Sequence, residues 1–333
     1  MPLLRKLLRM LLVLVTSMFA GWLVIAGRSR PDSVREISSE MPPPLPPGRV
    51  VYVPERGEIF VRELGPPYPD APTVVLVHGW MFPGDLHWFR TFEALAPHAR
   101  VIAPDNRGHG RGSRPSRPFR LTDVADDVAA LLRQLDATPA IAIGYSMGGQ
   151  VAQLLWQRHP DVVQGLVLCA TTDVYNVSAR ERWVWRGTGA LQIILRLAPR
   201  HVVERLLLAQ AEGRLPIRIS RMITPETPRE VIDRLPWMAG EFNRGSAEDI
   251  AEALREMGRF DARGWVGTID VPTAVLVTTQ DVLVPPARQR ALAGRILGAS
   301  LQELPLDHDG IVAHPEIFLP ALEKAFTWVQ GKT

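Results

Sequence analysis

A serine between glycines, in Gly144-Tyr145-Ser146-Met147-Gly148, sits where the apolar run Ala140–Ile143 stops and a helical pattern begins. A serine hydroxyl becomes a useful nucleophile only when it is held exposed beside a base and an oxyanion site. Glycines on both sides permit the sharp turn this requires, because a Cβ there would collide with neighbouring elements. The plain alternative for Ser146 is a polar residue capping the helix that follows. Other stretches place polar groups just past an apolar run: His78-Gly79-Trp80 after Thr73–Val77, Asp105-Asn106-Arg107-Gly108-His109-Gly110 after Val101–Ala103, and Asp281 after Thr273–Thr278. His308 follows Leu301–Leu306, 27 residues beyond Asp281 and seven before Pro315. The histidines lack a metal-ligand spacing such as H-E-x-x-H, so neither a metal nor a cofactor is expected.

Such residues need a scaffold to bring them together. The chain has 333 residues, 46% of them hydrophobic and 22% charged, which suits a sizeable buried core. A net charge of +3 and the lack of a basic run interleaved with aromatics exclude a nucleic-acid partner. The single cysteine, Cys169, excludes an intramolecular disulfide framework. Val50–Val53 and Glu58–Val61, around the turn composition of Pro54–Gly57, predict a β-hairpin. Strand and helix patterns then alternate: Thr73–Val77, a helix over Trp88–Leu95, Val101–Ala103, a helix over Thr122–Leu135, Ala140–Ile143, a helix over Gly149–His159, Gly165–Ala170 and Thr273–Thr278. The alternation predicts an α/β fold with a mostly parallel central sheet and helices on both faces. Between residues 173 and 264 it stops, and a helix-rich stretch reads as a helical cap inserted into the sheet domain.

These motifs, in this order, resemble the α/β-hydrolase superfamily on its serine-hydrolase branch, over roughly residues 50–330. The resemblance implies a catalytic triad of Ser146, Asp281 and His308, in the chain order the superfamily uses. It also implies an oxyanion hole made by the backbone N–H groups of Trp80 and Met147. His78 then supports its turn, the Asp105–Gly110 loop is structural with His109 a solvated or loop histidine, and His314 starts a helix. Asp173, after the strand at Gly165–Ala170, is the alternative acid, because some members of the superfamily place it there. The chain departs from the pattern at Asp307, where the family often has glycine before its histidine, and Asp309 stands on the other side.

The N-terminus is unlike the rest. Residues 10–27 form 18 uncharged, mainly apolar positions flanked by Arg5, Lys6 and Arg9 before and Arg28 and Arg30 after. That length predicts a membrane anchor with an extracytoplasmic catalytic domain; the alternative is a signal segment cleaved near Val24-Ile25-Ala26, giving a secreted protein. Residues 28–48 read as a Pro-rich linker, leaving residues 49–172 and 265–333 as the hydrolase core and 173–264 as the cap. Nine arginines and three acidic residues between Arg180 and Arg221 read as a solvated helical face, or as a basic surface meeting an anionic membrane.

Together these features predict a serine hydrolase acting on a small-molecule ester or lipid substrate, lipophilic in character. Serine at position 146, where the superfamily's dehalogenases and epoxide hydrolases use Asp, argues against their chemistry. Amidase, carbon–carbon bond hydrolase and cofactor-free perhydrolase are alternatives on the same triad. A non-catalytic binding protein is the alternative of another class.

Overall fold

The computed structural model describes residues 42–333 except 67, 115–117, 176–233, 243 and 245–246. Apart from residues 234–236, the described chain belongs to one compact unit. Its centre is a sheet of β1 (Gly48–Val53), β2 (Gly57–Leu64), β3 (Thr73–Val77), β4 (Arg100–Pro104), β5 (Ala140–Tyr145), β6 (Val163–Cys169), β7 (Thr273–Thr278) and β8 (Ser300–Leu304), in the order β1-β2-β4-β3-β5-β6-β7-β8. The β1–β2 hairpin and the β2–β4 pair are antiparallel; every pairing from β4 to β8 is parallel.

The apolar runs explain this arrangement. All six residues of β5 and of β7 are buried, as strands covered on both faces must be. On one face Val75, Val77, Ala142, Leu168 and Val277 share a core with Val124, Val128 and Leu132 from the helix Leu121–Gln134 and Val151 and Leu155 from the helix Met147–Arg158. The alternate residues Val74, Leu76, Ile141, Ile143 and Val167 are equally buried on the other face. There Gly165 lets Val329 of the helix Pro315–Gln330 come close; a Cβ at 165 would lie 2.3 Å from Val329 Cγ1. Burying each Val or Leu is worth roughly 1.5–3 kcal/mol, so the alternation along these strands fixes their register firmly.

The expected helix over Trp88–Leu95 is instead two short helices, Gly84–Trp88 and Thr91–Leu95, broken at Phe89-Arg90. Between β6 and β7 the described residues include the helices Leu235–Phe242 and Ala247–Arg259, in keeping with a helical insertion. The basic stretch between Arg180 and Arg221 lies outside the described residues.

The membrane expectation is corrected. Among the described residues no helix is long and apolar enough to cross a membrane. Residues 10–27, whose apolar length suggested a span, lie outside the described residues, as does most of the linker. Length and flanking charge alone carried the anchor, so the anchored location and the membrane partner are both withdrawn.

Because β3 sits between β4 and β5, the chain leaves β3 to one side and returns on the other. In open α/β sheets the carboxyl ends of the strands at such a switch form the crevice that holds ligands. His78, Ser146 and Asp281 all follow the carboxyl ends of their strands.

Candidate active site

Ser146 joins β5 to the helix Met147–Arg158 with φ 54° and ψ −116°, a conformation that non-glycine residues avoid at a cost of about 1–3 kcal/mol. Its surroundings impose it. The Ser146 N–H donates to Cys169 O (2.9 Å), and its carbonyl accepts from the Thr171 hydroxyl (2.7 Å) and the Gly149 N–H (3.0 Å). A Cβ on Gly144 would stand 2.3 Å from Gly148 O, and one on Gly148 would stand 1.9 Å from Val77 O. Both glycines of the motif are therefore sterically required, and the helix cap foreseen as an alternative for Ser146 is not made by its side chain.

The structure brings Ser146, His308 and Asp281 together. His308 Nε2 lies 2.9 Å from Ser146 Oγ, and His308 Nδ1 lies 2.7 Å from Asp281 Oδ2. A carboxylate oxygen can only accept, so Nδ1 carries the ring proton and Nε2 is left to accept from the serine hydroxyl. Asp281 is held by further donors. Its Oδ1 accepts from the N–H groups of Leu283 and Val284, each at 2.8 Å. Its Oδ2 accepts from the Thr278 hydroxyl (2.8 Å) and Gln289 Nε2 (3.1 Å). Backbone bonds from Thr279 N–H to Leu304 O and from Gln280 N–H to Leu306 O stitch the Asp281 loop to the segment that leads into His308. Asp307 accepts from the N–H groups of His308 (2.8 Å) and Val282 (3.3 Å), and therefore braces both loops. The alternative acid is elsewhere engaged: Asp173 Oδ2 pairs with Arg295 at 2.8 Å.

Met147 is the first residue of its helix, where helix geometry leaves the N–H without an intrahelical acceptor. On the other side, Gly79 abuts the elbow: a Cβ there would be 3.2 Å from Tyr145 O and 3.3 Å from Ser146 Cβ. Trp80 follows directly, half-buried, with its indole N–H donating to Ile250 O at 2.5 Å. His78 is fully buried and occupied at both nitrogens, Nδ1 donating to Gly79 O (2.8 Å) and Nε2 accepting from the Asn106 N–H (2.9 Å). It holds the turn and is not available as a base.

The Asp105–Gly110 loop is a framework around this turn. Asp105 accepts from the N–H groups of Gly84 (2.7 Å) and Arg111 (2.8 Å), and Arg107 makes a two-pronged contact with Asp127 at 2.6 Å. Burial, above all, raises the Asp105 pKa to about 6; the carboxylate of Asp85 adds to the rise, against the two amide donors. His109 belongs to the loop but is not solvated: it is completely buried, and burial lowers its pKa to about 4. His314 occupies the N-cap of the helix Pro315–Gln330.

Two further side chains at the site were given no role from the sequence. Tyr145 donates from its hydroxyl to His308 O at 2.5 Å, pinning the histidine backbone from the neighbouring strand. His87 Nδ1 accepts from the Gly79 N–H at 3.1 Å, and burial first, then the charges of His308 and His109, lowers its pKa to about 3. Their positions were the only signal, Tyr145 inside the Gly144–Gly148 motif and His87 inside the run that follows His78-Gly79-Trp80.

Among the described residues no group of three or more His, Cys, Asp or Glu could hold a metal ion.

Residues 72–201 match the family described as alpha/beta hydrolase fold. A pimeloyl-[acyl-carrier protein] methyl ester esterase of Chromobacterium violaceum is 32% identical over 272 residues, covering 79% of this chain and 96% of the relative. A non-heme chloroperoxidase of Streptomyces lividans is 30% identical, covering 79% of this chain and 94% of the relative. Among solved structures, an enol-lactonase from Burkholderia xenovorans superposes with a TM-score of 0.67 at 25% identity, over 84% of this chain and all of the other, 100%. With that identity, coverage and strand order, the chain belongs to the alpha/beta hydrolase family.

Proposed function

We propose that this hydrolase cleaves carboxylic esters, lipophilic ones by preference, through an acyl-enzyme at Ser146. It acts on ester bonds, as the names of its esterase and enol-lactonase relatives say of theirs. The single observation that carries the proposal is the continuous contact from Ser146 Oγ through His308 to Asp281. In this reading His308 Nε2 takes the serine proton as Oγ attacks the carbonyl, while Asp281 orients the ring and stabilises its charged form. The N–H groups of Trp80 and Met147 receive the negative charge on the carbonyl oxygen. Collapse expels the alcohol with the proton from His308, and water then repeats the sequence on the acyl-enzyme. Residues 49–172 and 265–333 form the hydrolase core and residues 173–264 the cap. Lipophilic preference is supported by Val282 and Leu283, 56% and 66% exposed, directly beside the acid, and by the indole of Trp80 next to the elbow. Perhydrolysis is a second reading, favoured by the relative named as a non-heme chloroperoxidase: hydrogen peroxide in place of water would release the acyl group as a peracid.

A p-nitrophenyl ester series of increasing acyl length, run against Ser146→Ala, tests this reading. Hydrolysis that rises from acetate toward medium chains and vanishes in the variant is expected. Hydrolysis that survives Ser146→Ala, or a wild-type protein that a fluorophosphonate does not label at Ser146, would remove the serine-hydrolase chemistry.

A further inference from the structure

The turn His78-Gly79-Trp80 pivots on a glycine that the site cannot replace. Gly79 stands against the elbow, where a Cβ would lie 3.0 Å from His87 Cε1, 3.2 Å from Tyr145 O and 3.3 Å from Ser146 Cβ. Close approach requires glycine, and glycine leaves the two peptide planes that meet at its Cα free to turn. Hydrogen bonds must therefore set their angle. A trans peptide points its N–H and its C=O in opposite directions, so each plane can be followed by its partners. In the His78–Gly79 peptide the carbonyl accepts from Asn106 Nδ2 at 3.1 Å, and the N–H donates to His87 Nδ1 at 3.1 Å. In the Gly79–Trp80 peptide the carbonyl accepts from His78 Nδ1 at 2.8 Å. Its N–H faces the other way, and this is the oxyanion donor of the acyl-enzyme reading.

The His87 ring is itself immobilised. The short helix Gly84–Trp88 that carries it is docked through the Gly84 N–H on Asp105 Oδ1, at 2.7 Å. The residue is 7% exposed, and its ring meets Phe82 edge-on with centroids 5.2 Å apart and Tyr145 at 5.4 Å. Tyr145 in turn donates to His308 O, so one packed group of rings touches both the turn and the base loop. Burial, with the charges of His308 and His109, keeps the ring neutral, its pKa lowered to about 3. A neutral ring with its proton on Nε2 retains the Nδ1 lone pair that the Gly79 N–H needs.

We propose that His87 is a positioning residue of this site, its Nδ1 holding the Gly79 N–H so that the Trp80 N–H faces the carbonyl oxygen as negative charge gathers there. The proposal rests on the acyl-enzyme reading. His87 touches no reacting atom and gives up no proton; it acts through the peptide that precedes the donor. Without an acceptor at that point the Gly79 N–H is left unpaired, and the plane turns about the glycine to find another partner. The second plane, which starts from the same Cα, then carries its N–H off line. Attack by Ser146 Oγ and attack by water on the acyl-enzyme both put charge on that carbonyl oxygen, so both steps depend on the aim.

His87→Leu and His87→Asn make a matched pair of similar shape, and only Asn places an acceptor near the position of Nδ1. Losing an oxyanion donor outright costs about 10²–10³ in kcat, and a misaimed donor keeps part of its effect. His87→Leu should therefore lower kcat roughly 10- to 100-fold, with KM within about threefold of wild type. The inhibition constant of a trifluoromethyl ketone, whose adduct with Ser146 carries an oxyanion, should rise by a similar factor. His87→Asn should bring both quantities back to within about threefold of wild type. A His87→Leu enzyme within about twofold of wild type would overturn the proposal, as would equal losses in the two variants, or a loss confined to KM. Should His87→Leu not fold, His87→Phe, which retains a ring without the acceptor, carries the same expectation. The underlying reading fails differently: wild-type protein would not be labelled by a fluorophosphonate at Ser146 at all.

Discussion

Replacing Asp281 by Asn tests the geometry at its most constrained point. The carboxylate side chain is completely buried and accepts five hydrogen bonds, from the N–H groups of Leu283 and Val284, Thr278 Oγ1, Gln289 Nε2 and His308 Nδ1. An amide has one accepting oxygen and one donating nitrogen. If its oxygen takes the place of Oδ1, the Leu283 and Val284 bonds survive and the NH₂ faces Thr278, Gln289 and His308. If it takes the place of Oδ2, the NH₂ points at two backbone N–H groups that cannot turn away. The first orientation costs less, since the Thr278 hydroxyl can rotate, although Gln289 stays fixed by the Thr278 N–H on its oxygen and the Val284 carbonyl on its nitrogen. The third contact has no such remedy except a change of tautomer. His308 then accepts at Nδ1 and carries its proton on Nε2, facing Ser146 as a donor when a base is needed.

The wrong tautomer costs on the order of 10⁴ in kcat in serine triads, or about 5 kcal/mol. Stability should fall less, by about 1–3 kcal/mol, the penalty for imperfectly paired buried groups. Ester hydrolysis and the rate of fluorophosphonate labelling should therefore drop together, in a protein whose circular dichroism is unchanged. A variant within tenfold of wild type would refute the reasoning, because neither the tautomer argument nor the role of Asp281 would survive it.

Two further outcomes follow from the same framework. Gly148→Ala forces a Cβ to within 1.9 Å of the backbone oxygen of Val77, which no side-chain rotation relieves, so a loss of about 3 kcal/mol is expected. Gly264→Ala meets nothing within 4 Å and serves as the control; equal chemical-denaturation midpoints for the two would contradict the steric account. The buried Asp105 binds its proton more tightly folded, with a pKa of about 6, than its ordinary value of 3.8. Between those values the folded state holds the extra proton, so this group's contribution to stability falls as pH rises from about 4 to 6, by on the order of 3 kcal/mol. Urea unfolding of wild type and Asp105→Asn at stepped pH should show a stability difference sloping that way; a flat difference would show that the carboxyl is not the titrating group.

What the sequence revealed, and what it hid, divides along physical lines. Strands buried on both faces announce themselves as unbroken apolar runs, so Thr73–Val77 and Thr273–Thr278 were placed to the residue. Gly144 and Gly148 were legible because their constraint is local, a turn too tight for a Cβ. The break at Phe89-Arg90 was not, since Trp88 and Leu95 fit one helical stripe and nothing in that period marks the interruption. His109 looked like a solvated loop residue because its burial comes from the elements folded around the loop, Phe119 among them. The role of Tyr145 was hidden for a similar reason. It makes its decisive contact with a residue distant in the chain, His308, 163 positions on, and no spacing rule encodes such a contact. The N-terminal misreading has the opposite origin: hydrophobic length with flanking arginines gave a strong local signal for a membrane span, and no second observation stood behind it.

The way each site residue is anchored also determines how the site can fail. Ser146 is held in an unfavourable backbone conformation by contacts to β6 and the segment beyond it, through Cys169 and Thr171. Asp281 is fixed by its own loop and by Gln289 on the following helix. His308 is the link between them and the least buried of the three, held by the Tyr145 hydroxyl on its carbonyl, Asp307 on its amide, and its two partners at the ring nitrogens. A base that must rotate slightly between the attacking oxygen and the departing one benefits from that lesser burial, whereas a nucleophile and an orienting acid do not. Substitutions that loosen the His308 loop should therefore lower kcat long before they affect folding, while those that disturb the elbow or the acid loop should do both at once.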